Sequence, residues 1–339
     1  MSNLLEIRNL RTSFRTEDGT VRAVDDVSFD IRPGEVVGLV GESGCGKTAV
    51  SLSILQLLPV PPAVIEGGEI RFEDRDLLKL SRQEIRRVRG NDIAMIFQEP
   101  MTSLNPVYTI GNQLMEAIQL HQDLDGAGVR RRAVEMLKLV GIPRAEEVLD
   151  EYPHRFSGGM RQRAMIAMAL SCNPKLLIAD EPTTALDVTI QAQILELMHE
   201  LRDRIGMAIL FITHDLGVIA EMADKVVVMY AGKVVEQADV LSLFHEPQHP
   251  YTQGLIASRP AVEQDKERLA YIPGSVPNPL DMPAGCPFHP RCPHAMSVCV
   301  GKEPPERLLN EGHTVRCWLH EELAPEESQK AGSPAEVDA

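Results

Sequence analysis

The sequence predicts an α/β protein whose central sheet is parallel and covered by helices on both faces. Two observations lead to this fold class. Apolar runs of strand length, among them EVVGLVG, KLLIAD and MAILFIT, are separated by segments of helical length such as IQAQILELMHELRDRIG. These runs are almost continuously apolar, which is typical of strands that are buried on both faces.

The elements can be followed in chain order. LLEIRNL, VDDVSFDI, EVVGLVG, EIRFEDRDL and DIAMIF have strand length, and TAVSLSILQLL after Lys47 has helical length with an apolar stripe. GNQLMEAIQLHQ and GVRRRAVEMLKLVG then read as helices. After the second set of buried strands, KVVVMYAGKVVEQ predicts a hairpin with its turn at Ala231 and Gly232.

The 339 residues are too many for one ordinary core, and the pattern divides them into units. Residues 1–97 and 157–245 carry the α/β pattern, and residues 98–156 form a helical insert. Residues 246–320 are proline-rich and contain four of the six cysteines, which predicts a separate C-terminal module. Residues 321–339 carry six acidic residues and one lysine, so we expect a solvated, disordered tail.

Composition limits the classes of function. The formal net charge of −15 argues against a general nucleic-acid binder, which would present a basic face. No apolar run approaches the roughly 18 residues of a membrane span. The start, MSNLLEIRNL, has no long apolar run and does not resemble a signal peptide. We therefore expect a cytosolic protein that reaches a membrane only through a partner.

The segment GESGCGKT follows a strand and opens a helix, and it matches G-x-x-x-x-G-K-[ST]. In this phosphate loop, backbone N–H groups surround the phosphates, the lysine reaches the β/γ phosphates and the hydroxyl holds Mg²⁺. An accidental match would lack that strand and helix. The predicted nucleotide-binding residues of this segment are Gly41, Ser43, Gly44, Cys45, Gly46, Lys47, Thr48 and Ala49.

Polar residues end three of the predicted strands. Asp180 ends KLLIAD and suits Mg²⁺, and Glu181, the next residue, can face the attacking water. His214 in FITHD and Gln98 after DIAMIF have the same placement. Ligands bind at the carboxyl ends of parallel strands, so both are candidates for the γ-phosphate; a satisfied polar group is the alternative.

A second anion-binding loop is predicted at FSGGMRQRAMIAMAL, where small residues open a helix. Arg161 and Arg163 stand in its first turn, where the helix dipole disfavours cations. Either a bound phosphate offsets their charge or the two side chains point to solvent.

These motifs together resemble the ATP-binding subunits of ABC transporters. The phosphate loop, Gln98, FSGGM, LLIADE, the Ala185-Leu186-Asp187 segment and His214 occur in the order of that family. Phe156 and Met160 depart from the family at large and match its oligopeptide/dipeptide importer branch. HEPQHPYTQGL matches the same branch.

The resemblance implies a RecA-like P-loop NTPase core with an ABC-type antiparallel β subdomain and an α-helical subdomain. It also implies that two such subunits dock head to tail, so that Ser157, Gly158 and Gly159 serve the partner's ATP and Asp187 lies near the interface. Glu181, His214 and Gln98 become the catalytic residues, and Thr48, Gln98 and Asp180 the Mg²⁺ site. Phe14 matches the family's adenine-stacking aromatic, although a buried strand-end residue is the alternative.

The four C-terminal cysteines, Cys286, Cys292, Cys299 and Cys317, are spaced C-x5-C-x6-C-x17-C. Disulfides do not suit a cytosolic chain, and Cys₄ suits zinc or an iron–sulfur cluster. The spacing matches neither zinc knuckles nor bacterial ferredoxins. The resemblance implies a [4Fe-4S] cluster, with zinc and unmetallated thiols as alternatives.

The implied function is ATP-driven uptake of di- or oligopeptides. The implied partners are a second ATPase subunit, in a heterodimer or homodimer, two integral-membrane permease subunits and an extracytoplasmic solute-binding protein. The helical insert would contact the permeases, which puts the protein at the cytoplasmic face of the membrane. Nickel or glutathione uptake, a soluble ABC ATPase and an unrelated P-loop enzyme are the alternatives.

Overall fold

The computed structural model describes residues 2–98, 104–184, 186–258 and 271–323. Its strands are β1 Leu5–Thr16, β2 Gly19–Ile31, β3 Val36–Val40, β4 Ala63–Phe72, β5 Arg75–Asp76, β6 Ile93–Ile96, β7 Leu176–Asp180, β8 Ala208–Thr213, β9 Lys225–Tyr230, β10 Lys233–Asp239, β11 Arg307–Asn310 and β12 His313–Val315. Its α-helices are α1 Lys47–Ile54, α2 Arg82–Val88, α3 Ile110–His121, α4 Gly126–Leu139, α5 Ala145–Val148, α6 Gly158–Leu170, α7 Val188–Ile205, α8 Leu216–Met222, α9 Val240–His245, α10 Pro250–Ala257 and α11 Ser297–Gly301.

The described strands form two sheets. The larger has the order β11-β12-β10-β9-β3-β8-β7-β6, and its five strands from β9 to β6 are parallel. The smaller sheet, β2-β1-β4-β5, is antiparallel. The parallel core and the antiparallel β subdomain agree with the fold class predicted from the sequence.

Buried side chains lie on both faces of the larger sheet. In β3, Val36 and Val40 belong to the core on the side of the helical subdomain, whereas Val37 and Leu39 belong to the core under the smaller sheet. Successive side chains of a strand point to opposite faces, so a strand buried on both sides reads as continuously apolar. This is the physical reason that the apolar runs predicted parallel strands.

Two predicted elements can be compared directly with the structure. The β9–β10 hairpin turns at Ala231 and Gly232, both with positive φ, as suits a tight two-residue turn. The helix after Lys47 is shorter than its apolar stripe suggested: α1 ends at Ile54, and Gln56 already has a positive φ of 50°.

The C-terminal residues extend the larger sheet rather than building a sheet of their own. β12 pairs antiparallel with β10, and β11 pairs with β12 at the edge. A strand pattern in 307–315 went unrecognised in the sequence because the two strands are short and half-exposed. The predicted tail beyond residue 323, and the start of the helical insert at 99–103, lie outside the described residues.

None of the helices in the described ranges combines the length and the apolarity that crossing a membrane requires.

Candidate nucleotide site and the cysteine segment

The loop between β3 and α1 is closely packed on neighbouring backbone. Gly41 has φ 153°, and a Cβ there would lie 2.2 Å from the Met229 carbonyl oxygen. Gly46 has φ 103°, and its Cβ would lie 2.1 Å from the Ala23 carbonyl oxygen. Only glycine is compatible with both positions, because any side chain would overlap backbone atoms.

Lys47 lies inside this loop and is only 6% exposed. Its ammonium donates hydrogen bonds to the carbonyl oxygens of Gly41, at 2.8 Å, and Glu42, at 3.1 Å. Ser43, Gly44 and Thr48 are exposed along the loop and at the start of α1, and Ala49 is half-buried. The loop therefore presents its open side to solvent while the lysine is held by backbone carbonyls.

Cys45, by contrast, is a core residue of this loop. It is 1% exposed, and burial raises the pKa of its thiol although Lys47 opposes the shift. Its sulfur lies 2.7 Å from the position of a Cβ on Gly41. A buried, protonated thiol agrees with a packing role.

Asp180 ends β7 and is 1% exposed. Its Oδ2 accepts a hydrogen bond from Ser51 Oγ at 3.4 Å, whereas its Oδ1 has no hydrogen-bond partner among the described residues. Burial raises the pKa of this carboxyl, and the hydroxyls of Thr48 and Ser51 partly oppose that shift. A buried carboxylate oxygen without a partner, near the Thr48 hydroxyl, is a donor set that fits Mg²⁺.

Glu181 brings together side chains from three separate segments. Its carboxylate accepts hydrogen bonds from Gln98 Nε2 at 3.1 Å and Thr184 Oγ1 at 3.0 Å, and His214 Nδ1 lies 3.1 Å away. The Glu181 side chain is 12% exposed, whereas His214 is 62% exposed. Burial alone would raise the pKa of Glu181, but these hydrogen bonds outweigh burial and lower it. The carboxylate is therefore ionised and can accept a proton or orient water.

The predicted catalytic residues Gln98, Glu181 and His214 thus lie together beside Asp180, at the carboxyl ends of their strands. Thr184 was missed in the sequence, although it stands only three residues after Glu181 in PTTALD. Ser51 was also missed; it lies one turn beyond Thr48 on α1. Neither hydroxyl carries a sequence signal of its own, because serine and threonine are common in such turns.

The loop that opens α6 stands apart from these residues. Ser157 caps the helix, accepting a hydrogen bond from Met160 N at 3.3 Å. Among the described residues, a Cβ on Gly158 would meet Leu186 Cδ2 alone, at 4.0 Å, whereas one on Gly159 would lie 3.0 Å from Ile190 Cγ2. Asp187 in turn caps α7, accepting from Ile190 N at 3.0 Å. The glycine loop and the start of α7 therefore lie side by side.

Arg161 and Arg163 bind backbone carbonyls within the chain. Arg161 Nε donates to the Pro153 carbonyl oxygen at 2.9 Å, and an Arg163 guanidinium nitrogen donates to that of Val140 at 2.6 Å. These contacts contradict the alternative in which the two side chains point to solvent, and the alternative in which a bound phosphate offsets their charge stays a prediction. The two arginines fasten the start of α6 to the helical subdomain, and the buried Gln162 amide likewise donates to the Pro182 carbonyl beside Glu181.

Phe14 is half-buried near the end of β1, where its backbone pairs with Val21 and Ala63. This position is compatible with both interpretations of the residue, adenine stacking and strand-end packing.

The four C-terminal cysteines are partly or fully buried and none forms a disulfide. Burial raises the pKa of Cys286 and Cys317 to about 12, and the neighbouring thiols add to the shift. In the described part of the chain, which includes all four, no group of three or more Cys, His, Asp or Glu side chains is arranged to hold a metal ion. The predicted [4Fe-4S] cluster, and zinc as its alternative, are therefore not supported by this arrangement.

Comparison with known proteins agrees with the geometry. The family model described as ABC transporter matches residues 24–184, and the model described as oligopeptide/dipeptide transporter, C-terminal region, matches residues 235–299. The oligopeptide transport ATP-binding protein AppD of Bacillus subtilis is 55% identical over 97% of this chain and 100% of its own length. The dipeptide transport ATP-binding protein DppD of Escherichia coli is 52% identical over 93% of this chain and 96% of its own.

A solved structure shares the cassette fold. The dimeric post-hydrolysis state of the ATP-binding cassette MJ0796, bound to ADP and phosphate, is 26% identical with a TM-score of 0.62, covering 70% of this chain and 98% of that chain. The fold and the site thus define an ABC-type ATPase cassette. The chain belongs to the family of ABC transporter ATP-binding proteins, in the branch that carries the oligopeptide/dipeptide transporter C-terminal region.

Proposed function

We propose that this ATPase drives the uptake of di- or oligopeptides through partner membrane subunits. The names of its relatives, which are oligopeptide and dipeptide transport ATP-binding proteins, support this substrate class. Uptake of nickel or glutathione is the alternative within the same role. The proposal that the protein hydrolyses ATP depends on one observation. The Glu181 carboxylate is held by Gln98, Thr184 and His214 beside the buried Asp180.

ATP binds with its phosphates in the loop from Gly41 to Thr48. The Lys47 ammonium, which already lies within this loop, exchanges carbonyl oxygens for phosphate oxygens of higher charge. Thr48, Asp180 and Gln98 would hold Mg²⁺, which would neutralise charge on the γ-phosphate. The Asp180 oxygen without a partner supports this assignment.

Glu181 orients and polarises the attacking water. Its lowered pKa keeps it ionised at neutral pH, so it can accept hydrogen bonds from water. His214 and Gln98 hold the carboxylate and extend toward the γ-phosphate. Positioning and charge stabilisation supply most of the catalysis of phosphoryl transfer, so these side chains act chiefly by geometry.

The second anion loop serves the ATP of a neighbouring subunit. Ser157, Gly158 and Gly159 open the 13-residue helix α6, Ser157 and Gly158 are exposed, and among the described residues a Cβ on Gly158 would meet Leu186 alone, at 4.0 Å. Asp187 lies beside this loop and couples the two sites. The dimeric state of the related cassette MJ0796 supports pairing of two cassettes, which we propose to be head to tail, in a heterodimer with a homodimer as the alternative. Phe14 stacks on the adenine.

The membrane subunits dock on the helical subdomain. An apolar groove of about 210 Å³ runs between β6 and the helices, lined among others by Met95, Phe97, Ala117 and Met168. Its neighbour Gln98 contacts Glu181, which links the groove to the site of hydrolysis. The protein then sits peripherally on the cytoplasmic face, in a complex with two permeases and an extracytoplasmic solute-binding protein. Nucleic acid has no part in this function.

The iron–sulfur cluster stays a prediction from the sequence, and no step above depends on it. Iron and acid-labile sulfide in anaerobically purified protein, with a brown colour that is lost in a Cys292→Ser variant, would support it. Zinc alone, or no metal at a stoichiometric level, would exclude it.

A single substitution tests the shared site. Gly158→Asp puts a carboxylate into open space, so the chain should fold and bind ATP with unchanged affinity, while hydrolysis falls because the partner's γ-phosphate is repelled. Gly126→Asp, also at a helix start with open space, is the control and should hydrolyse ATP normally. Full activity in Gly158→Asp, or in wild-type monomer kept dilute, would refute the shared site.

A further inference from the structure

The C-terminal segment, which is the module of residues 246–320, contacts the phosphate loop at Glu42, the residue after Gly41. The Glu42 backbone N–H donates to Tyr251 Oη at 2.8 Å. Its carboxylate pairs with Arg291 through two hydrogen bonds, at 2.7 and 3.0 Å. Glu42 is therefore held by two residues that lie 209 and 249 positions away in the sequence.

Arg291 is itself fixed on every side. Its side chain is 4% exposed, and its guanidinium also donates to the carbonyl oxygens of Pro273, at 3.0 Å, and Ile272, at 3.3 Å. It lies 5.8 Å from the ring centroid of Tyr230 and 5.9 Å from that of Phe288. This guanidinium is buried and held by two carbonyl oxygens and two aromatic rings. Because it also pairs bidentately with Glu42, the Glu42 carboxylate has little freedom to move.

The contacts continue from Glu42 to the functional lysine. Lys47 Nζ donates to the carbonyl oxygens of Gly41 and Glu42. The Gly41 carbonyl belongs to the same peptide unit as the Glu42 N–H that Tyr251 accepts, and the Glu42 carbonyl belongs to the next unit. Cys45 N also donates to the Glu42 carbonyl oxygen, at 3.3 Å. Fixing the backbone and side chain of Glu42 thus fixes the acceptors that orient Lys47.

We infer that Arg291 and Tyr251 are positioning residues for the phosphate loop, through which the C-terminal segment sets the affinity for nucleotide. This inference rests on the proposed nucleotide site. Without the ion pair, the loop would sample conformations in which Lys47 and the loop N–H groups no longer converge, and binding would have to select the competent one. Tyr251 and Arg291 contact the loop on its buried side, whereas the other side of the loop is open to solvent.

The test measures Mg-ATP binding by calorimetry on the full chain, together with KM and kcat in the assembled complex. Arg291→Gln and Glu42→Gln should each weaken binding and raise KM by about 2- to 30-fold, with a smaller change in kcat. The Arg291→Gln/Glu42→Gln double variant should be no weaker than the worse single variant, because both remove one interaction. Tyr251→Phe, which removes only the acceptor of the Glu42 N–H, should shift affinity in the same direction.

Arg316→Gln is the matched control, since Arg316 also joins the C-terminal segment to the core, through Asp26 at 3.2 Å, without touching the phosphate loop. It should leave KM unchanged. Wild-type affinity in folded Glu42→Gln and Tyr251→Phe chains, additive effects in the double variant, or an equal loss in Arg316→Gln would overturn the inference. Failure of the nucleotide site itself would be recognised separately, because the wild-type chain would then not bind Mg-ATP.

Discussion

In Glu181 and Glu236, burial and hydrogen bonding shift the pKa of the carboxyl in the same direction, but the two carboxylates have different kinds of hydrogen-bond donors. Glu181 is held by side chains alone, from Gln98, Thr184 and His214, and its partners are exposed. Glu236 on β10 is 0% exposed and accepts from the backbone N–H groups of Gln248 and His249. In both, burial raises the pKa but the hydrogen bonds outweigh it and lower the pKa.

The third contact of Glu236, with His313, adds to the difference between the two glutamates. His313 Nε2 lies 2.8 Å from its carboxylate, and the two side chains are 3% and 0% exposed. His313 is on β12, so the buried carboxylate joins β10 to the strands that the C-terminal segment adds to the sheet. Backbone donors in a packed segment cannot change partners without unfolding it, whereas exposed side chains on three loops can. Glu181 is therefore suited to a changing ligand, and Glu236 to a fixed junction.

The largest expected effect is the loss of catalysis when the charge of Glu181 is removed. Glu181→Gln keeps the size of the side chain but removes its charge and replaces one acceptor oxygen by an NH2 donor, so ATP binding should persist while kcat falls about 10²- to 10⁴-fold. Steady-state ATPase assays and calorimetry measure the two properties. Glu196→Gln, on the exposed face of α7, should retain wild-type rates. Normal turnover in Glu181→Gln would remove this residue from its proposed role.

The corresponding change at Glu236 should affect stability. Glu236→Ala leaves two buried N–H groups and His313 without their acceptor, so the free energy of unfolding should fall by about 3–5 kcal/mol. Chemical denaturation followed by circular dichroism measures it. Glu246→Ala, at an exposed position nearby, should change stability by less than about 0.5 kcal/mol. Equal stability of these two variants would show that the carboxylate does not hold the junction.

The smallest effect is a dependence on pH at the same junction. Burial lowers the pKa of His249 to about 4 from 6.5, although the Glu236 charge opposes the shift. Between these two pH values the unfolded chain binds a proton at His249 and the folded chain does not, so stability falls as the pH falls. The loss should reach about 3 kcal/mol at pH 4.

Denaturation midpoints between pH 7 and pH 4 check this last prediction. His249 Nδ1 caps α10 by accepting from Tyr251 N at 3.0 Å. In His249→Asn the amide oxygen can accept the same hydrogen bond but has no proton to bind, so the variant should lose less stability over this range. Identical pH profiles for the two chains would contradict the assignment to His249.

Some of the residues that meet in the candidate site could be predicted from the sequence, and others could not. The phosphate loop, Asp180, Glu181, Gln98 and His214 each stand at a strand end, and parallel strands bring their carboxyl ends to one edge, so their meeting was predictable. Thr184 and Ser51 were not, because a hydroxyl in a turn has many possible acceptors and no periodicity.

The contacts of the C-terminal segment could not be predicted from the sequence. Its cysteines drew attention in the sequence, yet the structure gives them no metal-binding arrangement in the described residues and instead places Arg291, Tyr251 and His313 at the junctions with the core. Nothing around Arg291 or Glu42 in the sequence pairs them, since contacts between residues more than 200 positions apart leave no local pattern.

The sequence by itself determined the class of this protein: local rules of strand alternation, turn chemistry and phosphate-loop spacing act over a few residues and can be read from them. Only the tertiary structure decided which distant side chains meet at the buried carboxylates and guanidinium, namely Glu42 with Arg291 and Glu236 with His313. Such pairs depend on how distant segments pack, because a buried charge is tolerated only where the fold delivers its partner.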